Sequence, residues 1–192
     1  MSKEKKKGEK MKKVVEIAHE IILRAHVQGA VADFTLGAGH DCELLMGIDE
    51  VDKVYAFEIQ PQAILDAKAC LQGKKGFDKV IFLPIGHEHA KAYISEPISA
   101  GIFNFGYYPK GDPLITTMVE TSREGVESAL ECLQIGGLLV LVCYPGHEEG
   151  MRESLYFDEW IRQLPSKRYD CVRIQMSNKK NCPYIHVIEK KR

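Results

Sequence analysis

The 192-residue sequence lacks any apolar run long enough to cross a membrane as a helix, and its lysine-rich start lacks the apolar core of a secretory leader. It also lacks a CxxC pair: the six cysteines (Cys42, Cys70, Cys132, Cys143, Cys171, Cys182) are scattered, several within apolar runs. That spacing excludes a zinc knot and a disulfide framework, and predicts reduced, mostly buried thiols in a cytoplasmic protein. Neither sign of charge dominates, because the formal net charge is only -1, so no global field draws the chain to nucleic acid or to an anionic membrane. Internal repeats and linker-like stretches are missing as well, leaving one domain over residues 13–192 preceded by a basic tail at 1–12 that is expected to be disordered.

What the sequence does contain is alternation. "MKKVVEIAHEIILRAHV" has the spacing of an amphipathic helix, with Val14, Ile17, Ala18, Ile21, Ile22 and Ala25 on one side. Strands are predicted at "AVADFT", "KVYAFEI", "KVIFLP", "AGIFNFG", "GLLVLVCY", "DCVRIQM" and "YIHVIEK", with helices near 41–47, 61–72, 87–94, 117–134 and 150–163. A capping box at Thr117/Glu120 or Thr121/Glu124 is expected to start the fourth of these helices, and "IGG" at 135–137 to stop it. Strands separated by helices need crossover connections, so the fold class is α/β: a Rossmann-like, seven-stranded, mostly parallel sheet with helices on both faces. Ligands of such sheets bind at the carboxyl ends of the strands.

"DFTLGAGHD" turns the first strand into a helix. Gly37 and Gly39 permit positive φ and close backbone approach, and the helix start offers unpaired N–H groups to a carboxylate or phosphate. Glu58 follows about twenty residues on, where an acid can accept hydrogen bonds from both hydroxyls of a ribose. A dinucleotide fingerprint wants glycine where Cys42 stands, which disfavours a nicotinamide oxidoreductase. Asp33-x-x-x-Gly37-x-Gly39 instead resembles motif I of class I S-adenosylmethionine-dependent methyltransferases.

Taken with "VYAFEIQ", "PIGHEHAK", "NFGYYPKGD", "YPGH" and "KKNCPYIHVIEK", that stretch resembles a family of small bacterial methyltransferases first labelled rRNA methylases. Members of that family methylate the aminomethyl group on the wobble uridine of certain tRNAs. The resemblance implies S-adenosylmethionine as cofactor, with contacts from Asp33, Thr35, Gly37, Gly39, His40, Asp41, Glu58 and Gln60, and His87 beside the adenine. It implies a tRNA anticodon loop as partner, no membrane association, and leaves a homodimer open. The chain departs from the family pattern at Ala38, usually Asn, and at Gly86, usually Ser.

Methyl transfer needs a neutral acceptor nitrogen in line with the sulfonium methyl, and a free alkylamine of this type has a reference pKa of about 10.4. The resemblance places Asn104 at the acceptor as an orienting carbonyl. Tyr107 and Tyr108 are candidate stacking surfaces for a base, and Asp112 and His147 candidate proton acceptors. Each residue also fits a plainer role: Tyr107 and Tyr108 as core, Asp112 before Pro113 as a turn residue, His147 as a cap. Lys110, Lys179 and Lys180 are candidate phosphate contacts. His87 and His89 lack a third partner at metal-binding spacing, so no metal is expected. No cysteine lies in "NFGYYP", which favours nitrogen over ring-carbon methylation. The competing readings are a methyltransferase of another RNA or of a small-molecule amine, and a non-catalytic S-adenosylmethionine-binding protein.

Overall fold

The computed structural model describes residues 11–112 and 114–192. The tail expected at 1–12 lies outside the described residues, apart from Met11 and Lys12, and Lys12 forms an ion pair with Glu20. All seven apolar runs become strands: β1 (Gly29–Asp33), β2 (Val51–Phe57), β3 (Val80–Leu83), β4 (Ile98–Asn104), β5 (Leu133–Cys143), β6 (Tyr169–Gln175) and β7 (Tyr184–Lys190). They form one sheet in the order β3-β2-β1-β4-β5-β7-β6. The first five strands are mutually parallel, and β7 alone runs against its neighbours.

The helices are α1 (Val14–Arg24), α2 (His40–Met46), α3 (Pro61–Leu71), α4 (Ala90–Tyr93), α5 (Val119–Cys132) and α6 (Glu148–Arg162). Period-two alternation along the strands sends side chains to two separate cores. Leu139 and Leu141 join an aromatic core containing Phe34, Phe57, Phe103, Phe105 and Phe157, covered by α4, α5 and α6. Val140 and Val142 face the opposite way, into an aliphatic core covered by Ala18 and Ile22 of α1 and by α2 and α3. This two-sided burial explains why "LLVLVC" reads as a continuous apolar run rather than an alternating one. The rings of Phe34 and Phe103 stack with centroids 4.4 Å apart at the end of the sheet that carries the cavity described below.

Four local expectations are corrected. No capping box starts α5: its N-cap is Met118, and the Thr117 hydroxyl is drawn away to Glu153. The "IGG" stretch does not stop that helix either, which ends at Cys132. The glycines fall inside β5, where the register with β4 shifts and Gly136 has φ 78°. The helix expected over 87–94 is a 3₁₀ turn at 87–89 followed by the single turn of α4. The thiols are free, but only Cys42 and Cys143 are buried, while Cys70 and Cys171 are exposed.

The exposed carbonyls at the end of α5 are met from across the sheet. The Lys190 ammonium donates to the carbonyls of Leu130 (2.7 Å), Glu131 (3.2 Å) and Leu133 (2.6 Å). A cation at a helix C-terminus also complements its dipole. Lys190→Met, which keeps the apolar stem and removes the donors, is expected to cost about 2 kcal/mol, or roughly 4–8 °C in thermal midpoint. A calorimetric scan showing an unchanged midpoint would count against this cap.

Candidate active site

Because β1 to β5 are parallel and β6 runs in the same sense, six connections leave the sheet at one edge: those after β1, β2, β3, β4, β5 and β6. All six contribute to a cavity of about 760 Å³, whose lining includes Thr35, Glu58, His87, Asn104, His147 and Asn181. The cavity lies where strand order reverses between β1 and β4, the place at which open α/β sheets bind their ligands.

One side is built by the bend after β1. Gly37 (φ 48°) and Gly39 (φ 85°) adopt the left-handed conformation that other residues resist. A Cβ on Gly39 would stand 3.2 Å from Leu71 and 3.3 Å from Ala67, so α3 also presses on this turn. The Glu58 carboxylate fixes the bend from the end of β2: Oε2 accepts the Gly37 N–H (3.0 Å) and Oε1 the Gln60 N–H (2.8 Å). Each oxygen keeps a further lone pair for a ligand hydroxyl. Gln60 is buried, and its Oε1 accepts the Asp112 N–H (3.0 Å), tying β2 to the loop after β4.

Asp33 is fully buried beneath the bend and does not line the cavity. Its Oδ1 accepts the Thr35 N–H (3.1 Å), and its Oδ2 has no hydrogen-bond partner among the described residues. Burial, reinforced by the nearby charge of Asp41, drives its carboxyl well above the ordinary carboxylate range. A raised acid stabilises the fold fully below its unfolded value of about 3.9, and that contribution is lost as pH rises through the folded value. Asp33→Asn cannot ionise, so wild type should lose stability relative to this variant as pH climbs from acid to neutral. Denaturant titrations giving a pH-independent difference between the two would refute this.

Polar contacts converge on the end of β4. The Asn104 N–H donates to Thr35 Oγ1 (2.7 Å), and its side-chain Nδ2 to Asp41 Oδ2 (3.2 Å). Asp41, in the first turn of α2, is 5% exposed, and its other oxygen accepts from His19 Nε2 of α1 at 2.5 Å. Tyr144, at the end of β5, has its hydroxyl beside Asn104, and burial together with the Asp41 charge pushes it up to about 12. It therefore stays protonated.

The loop after β4 closes the other side. The Gly106 N–H donates to Thr117 Oγ1 (2.8 Å), and the Thr117 hydroxyl donates to Glu153 Oε2 (2.7 Å). Buried Glu153 takes a second donor from the Ser122 hydroxyl (2.5 Å). Tyr107 is 52% exposed at the cavity wall with the His147 ring edge-on at 6.1 Å. Tyr108 is instead buried, its hydroxyl donating to Asp66 Oδ2 (2.6 Å), so only the first of the two tyrosines presents an open face.

Two proton-acceptor candidates are engaged elsewhere. Asp112 does not line the cavity, and its Oδ1 closes a turn on the Leu114 N–H (2.9 Å). His147 lines it but caps α6, Nδ1 accepting the Gly150 N–H (3.1 Å); a neutral ring bonded this way carries its proton on Nε2 and is a donor. His40 is exposed at the cavity rim. Sequence reasoning missed His19, Thr117 as a loop anchor, Tyr144 and Asn181. Of these only Asn181 has a local signature, the sole non-glycine with positive φ (48°) among the described residues.

The lining suits S-adenosylmethionine. His87 is 7% exposed, its Nδ1–H donates to the Phe34 carbonyl (3.1 Å), and its Nε2 has no partner among the described residues. Burial lowers its pKa, keeping the ring neutral and Nε2 an acceptor, as an exocyclic amine requires. The ring fits because α5 carries Gly125 against it, where a Cβ would overlap the imidazole. At Gly86 the space a side chain would take is filled by the Glu88 carboxylate. Asp41 and Glu58, which line the cavity, both lie close enough to act on the buried Asp33 carboxyl, and these two acids give the lining a negative character suited to a sulfonium cation.

Strand order, glycine bend and acid-lined cavity define a class I S-adenosylmethionine-dependent methyltransferase. Within that class the chain belongs to the family described as "Putative rRNA methylase", whose model matches residues 54–190. A relative from Arabidopsis thaliana, the chloroplastic tRNA (mnm(5)s(2)U34)-methyltransferase, is 29% identical over 186 residues, 91% of this chain and 68% of that protein. The crystal structure of a protein of the family's description from Clostridium thermocellum superposes with a TM-score of 0.88 at 30% identity, covering 95% of this chain and 100% of the other. A Streptococcus mutans methyltransferase in complex with SAH gives 0.85 at 27% identity, with 94% and 99% covered. Among the described residues, no helix is long and apolar enough to cross a membrane.

Proposed function

We propose that this methyltransferase acts on the amino nitrogen of an aminomethyl group on the wobble uridine of tRNA. The observation that carries the reading is the Asn104 amide. A carboxylate only accepts hydrogen bonds, so Asp41 must face Nδ2, and Oδ1 is left as an acceptor without a hydrogen-bond partner among the described residues. An amine approaching that carbonyl is held through its N–H, and its lone pair is free to point elsewhere.

S-adenosylmethionine bound beside Gly37 supplies an electrophilic methyl group. Glu58 holds the ribose hydroxyls, and neutral His87 accepts from the adenine amine. Asn104 Oδ1 aligns the acceptor nitrogen, which would first lose its ammonium proton to solvent so that its lone pair is free to attack. Tyr107 offers its open face to a splayed-out base, a contact worth roughly 1–3 kcal/mol. Exposed Lys110, at the cavity mouth, and exposed Lys179 and Lys180, on the turn that also carries Asn181, suit the phosphates of a single-stranded loop. The reading is further supported by the activity named for the Arabidopsis relative.

The test is to incubate the protein with labelled S-adenosylmethionine and bulk tRNA from a strain lacking the modification, then digest and identify nucleosides by mass spectrometry. Label in methylaminomethyl-uridine is expected. Label confined to another nucleoside, or transfer only to a free amine with no gain from tRNA, would replace this substrate with one of those.

A further inference from the structure

We infer that His19, on the N-terminal helix α1, is a positioning residue for methyl transfer: it locks Asp41 so that the Asn104 carbonyl, not its NH₂, faces the acceptor. The inference rests on the reading that Asn104 receives the amine. Three side chains from three elements form a line: His19 of α1, Asp41 of α2 and Asn104 of β4. Only the last two line the cavity, so His19 acts from behind it.

The chemistry of the line fixes its direction. Both Asp41 oxygens are acceptors, so His19 Nε2 and Asn104 Nδ2 must both donate. An asparagine amide can present either end to a ligand at little steric difference, and its orientation is set by hydrogen bonding alone. At Asn104 the backbone is already held by Thr35, which leaves the side-chain flip as the remaining freedom. Asp41 can dictate that flip only while its carboxylate keeps one rotamer. Among the described residues its buried carboxylate has a single side-chain donor besides Asn104, and that donor is His19. Without it, Asp41 must turn toward another donor or water, and the Asn104 amide becomes free to sample the orientation that points NH₂ at the acceptor nitrogen. That orientation repels the incoming amine hydrogens and competes for the lone pair that must attack. The loss is expected in turnover, because Glu58 and His87, assigned to the ribose and adenine, are held by Gly37, Gln60 and Phe34 rather than by this line.

Two substitutions separate positioning from bulk stability. His19→Leu removes the donor and keeps an apolar side chain, whereas His19→Gln restores an N–H of similar reach. With the tRNA assay above, His19→Leu is expected to lower kcat about tenfold and leave SAH affinity within about twofold, and His19→Gln to recover most of the loss. Independently of activity, ¹⁵N-asparagine labelling should show the Asn104 side-chain NH₂ pair, assigned by its absence in Asn104→Ala, exchanging with solvent faster in His19→Leu than in wild type or His19→Gln. Unchanged exchange in His19→Leu overturns the inference whatever the substrate. So does kcat retained despite faster exchange, or equal loss of kcat and thermal midpoint in both variants. Wild-type protein that methylates no tRNA nucleoside instead defeats the substrate reading, with the exchange comparison still deciding whether His19 sets the Asn104 amide.

Discussion

Glu58→Ala is expected to weaken SAH binding about 100-fold, measured by calorimetry, because a carboxylate that accepts two ribose hydroxyls contributes about 1.5 kcal/mol or more for each. The same carboxylate also accepts the Gly37 and Gln60 amides, so the substitution loosens the glycine bend it removes the anchor from. Glu58→Gln separates the two effects. One amide oxygen can still accept the Gly37 N–H, but the NH₂ faces the Gln60 N–H donor to donor, and a smaller loss of about tenfold is expected. If SAH binds Glu58→Ala as tightly as wild type, Glu58 does not hold the ribose and the nucleoside lies elsewhere in the cavity.

Asn104→Ala should do the opposite: SAH affinity within about threefold of wild type, and kcat for methyl transfer lower by about 100-fold, the pattern of an interaction made chiefly with the reacting group. Asn104→Asp is informative beside it. A carboxylate against Asp41 brings like charges together in a buried place, which disfavours ionisation of one of them, and the introduced carboxylate, when ionised, would hold the acceptor amine as its unreactive ammonium. Turnover should therefore be lost more completely in Asn104→Asp than in Asn104→Ala. Parallel losses of SAH affinity and kcat in Asn104→Ala would assign this residue to the cofactor instead.

The fold was legible because its signal is local. Short apolar runs such as "LLVLVC", bounded by turn residues, read as strands buried on both faces, and helices between them force parallel neighbours. The bend was legible for a similar reason, since Gly37 and Gly39 mark positive φ in the chain itself and Glu58 stands at the expected distance. What was not legible depends on contacts between distant residues. Thr117 has the residue type and spacing of a helix cap, yet Glu153 competes for its hydroxyl from 36 positions away. His19 looks like an ordinary polar position on an amphipathic helix until α1 is laid against the start of α2. Tyr107 and Tyr108 are indistinguishable in sequence, and only the placement of Asp66 decides which ring is tethered. Asp112 and His147 carried the right chemistry for a base, but Asp112 sits in a turn outside the cavity lining and the helix cap takes the acceptor nitrogen of His147.

The side-chain amide of Gln60 spans the gap between the cofactor-facing strand end and the wall that meets the acceptor, with its oxygen on the Asp112 N–H and its own backbone N–H on Glu58. The two halves of the bowl are consequently one mechanical unit. The strand end that carries Glu58 and the loop after β4 are thus joined through a brace a single residue wide.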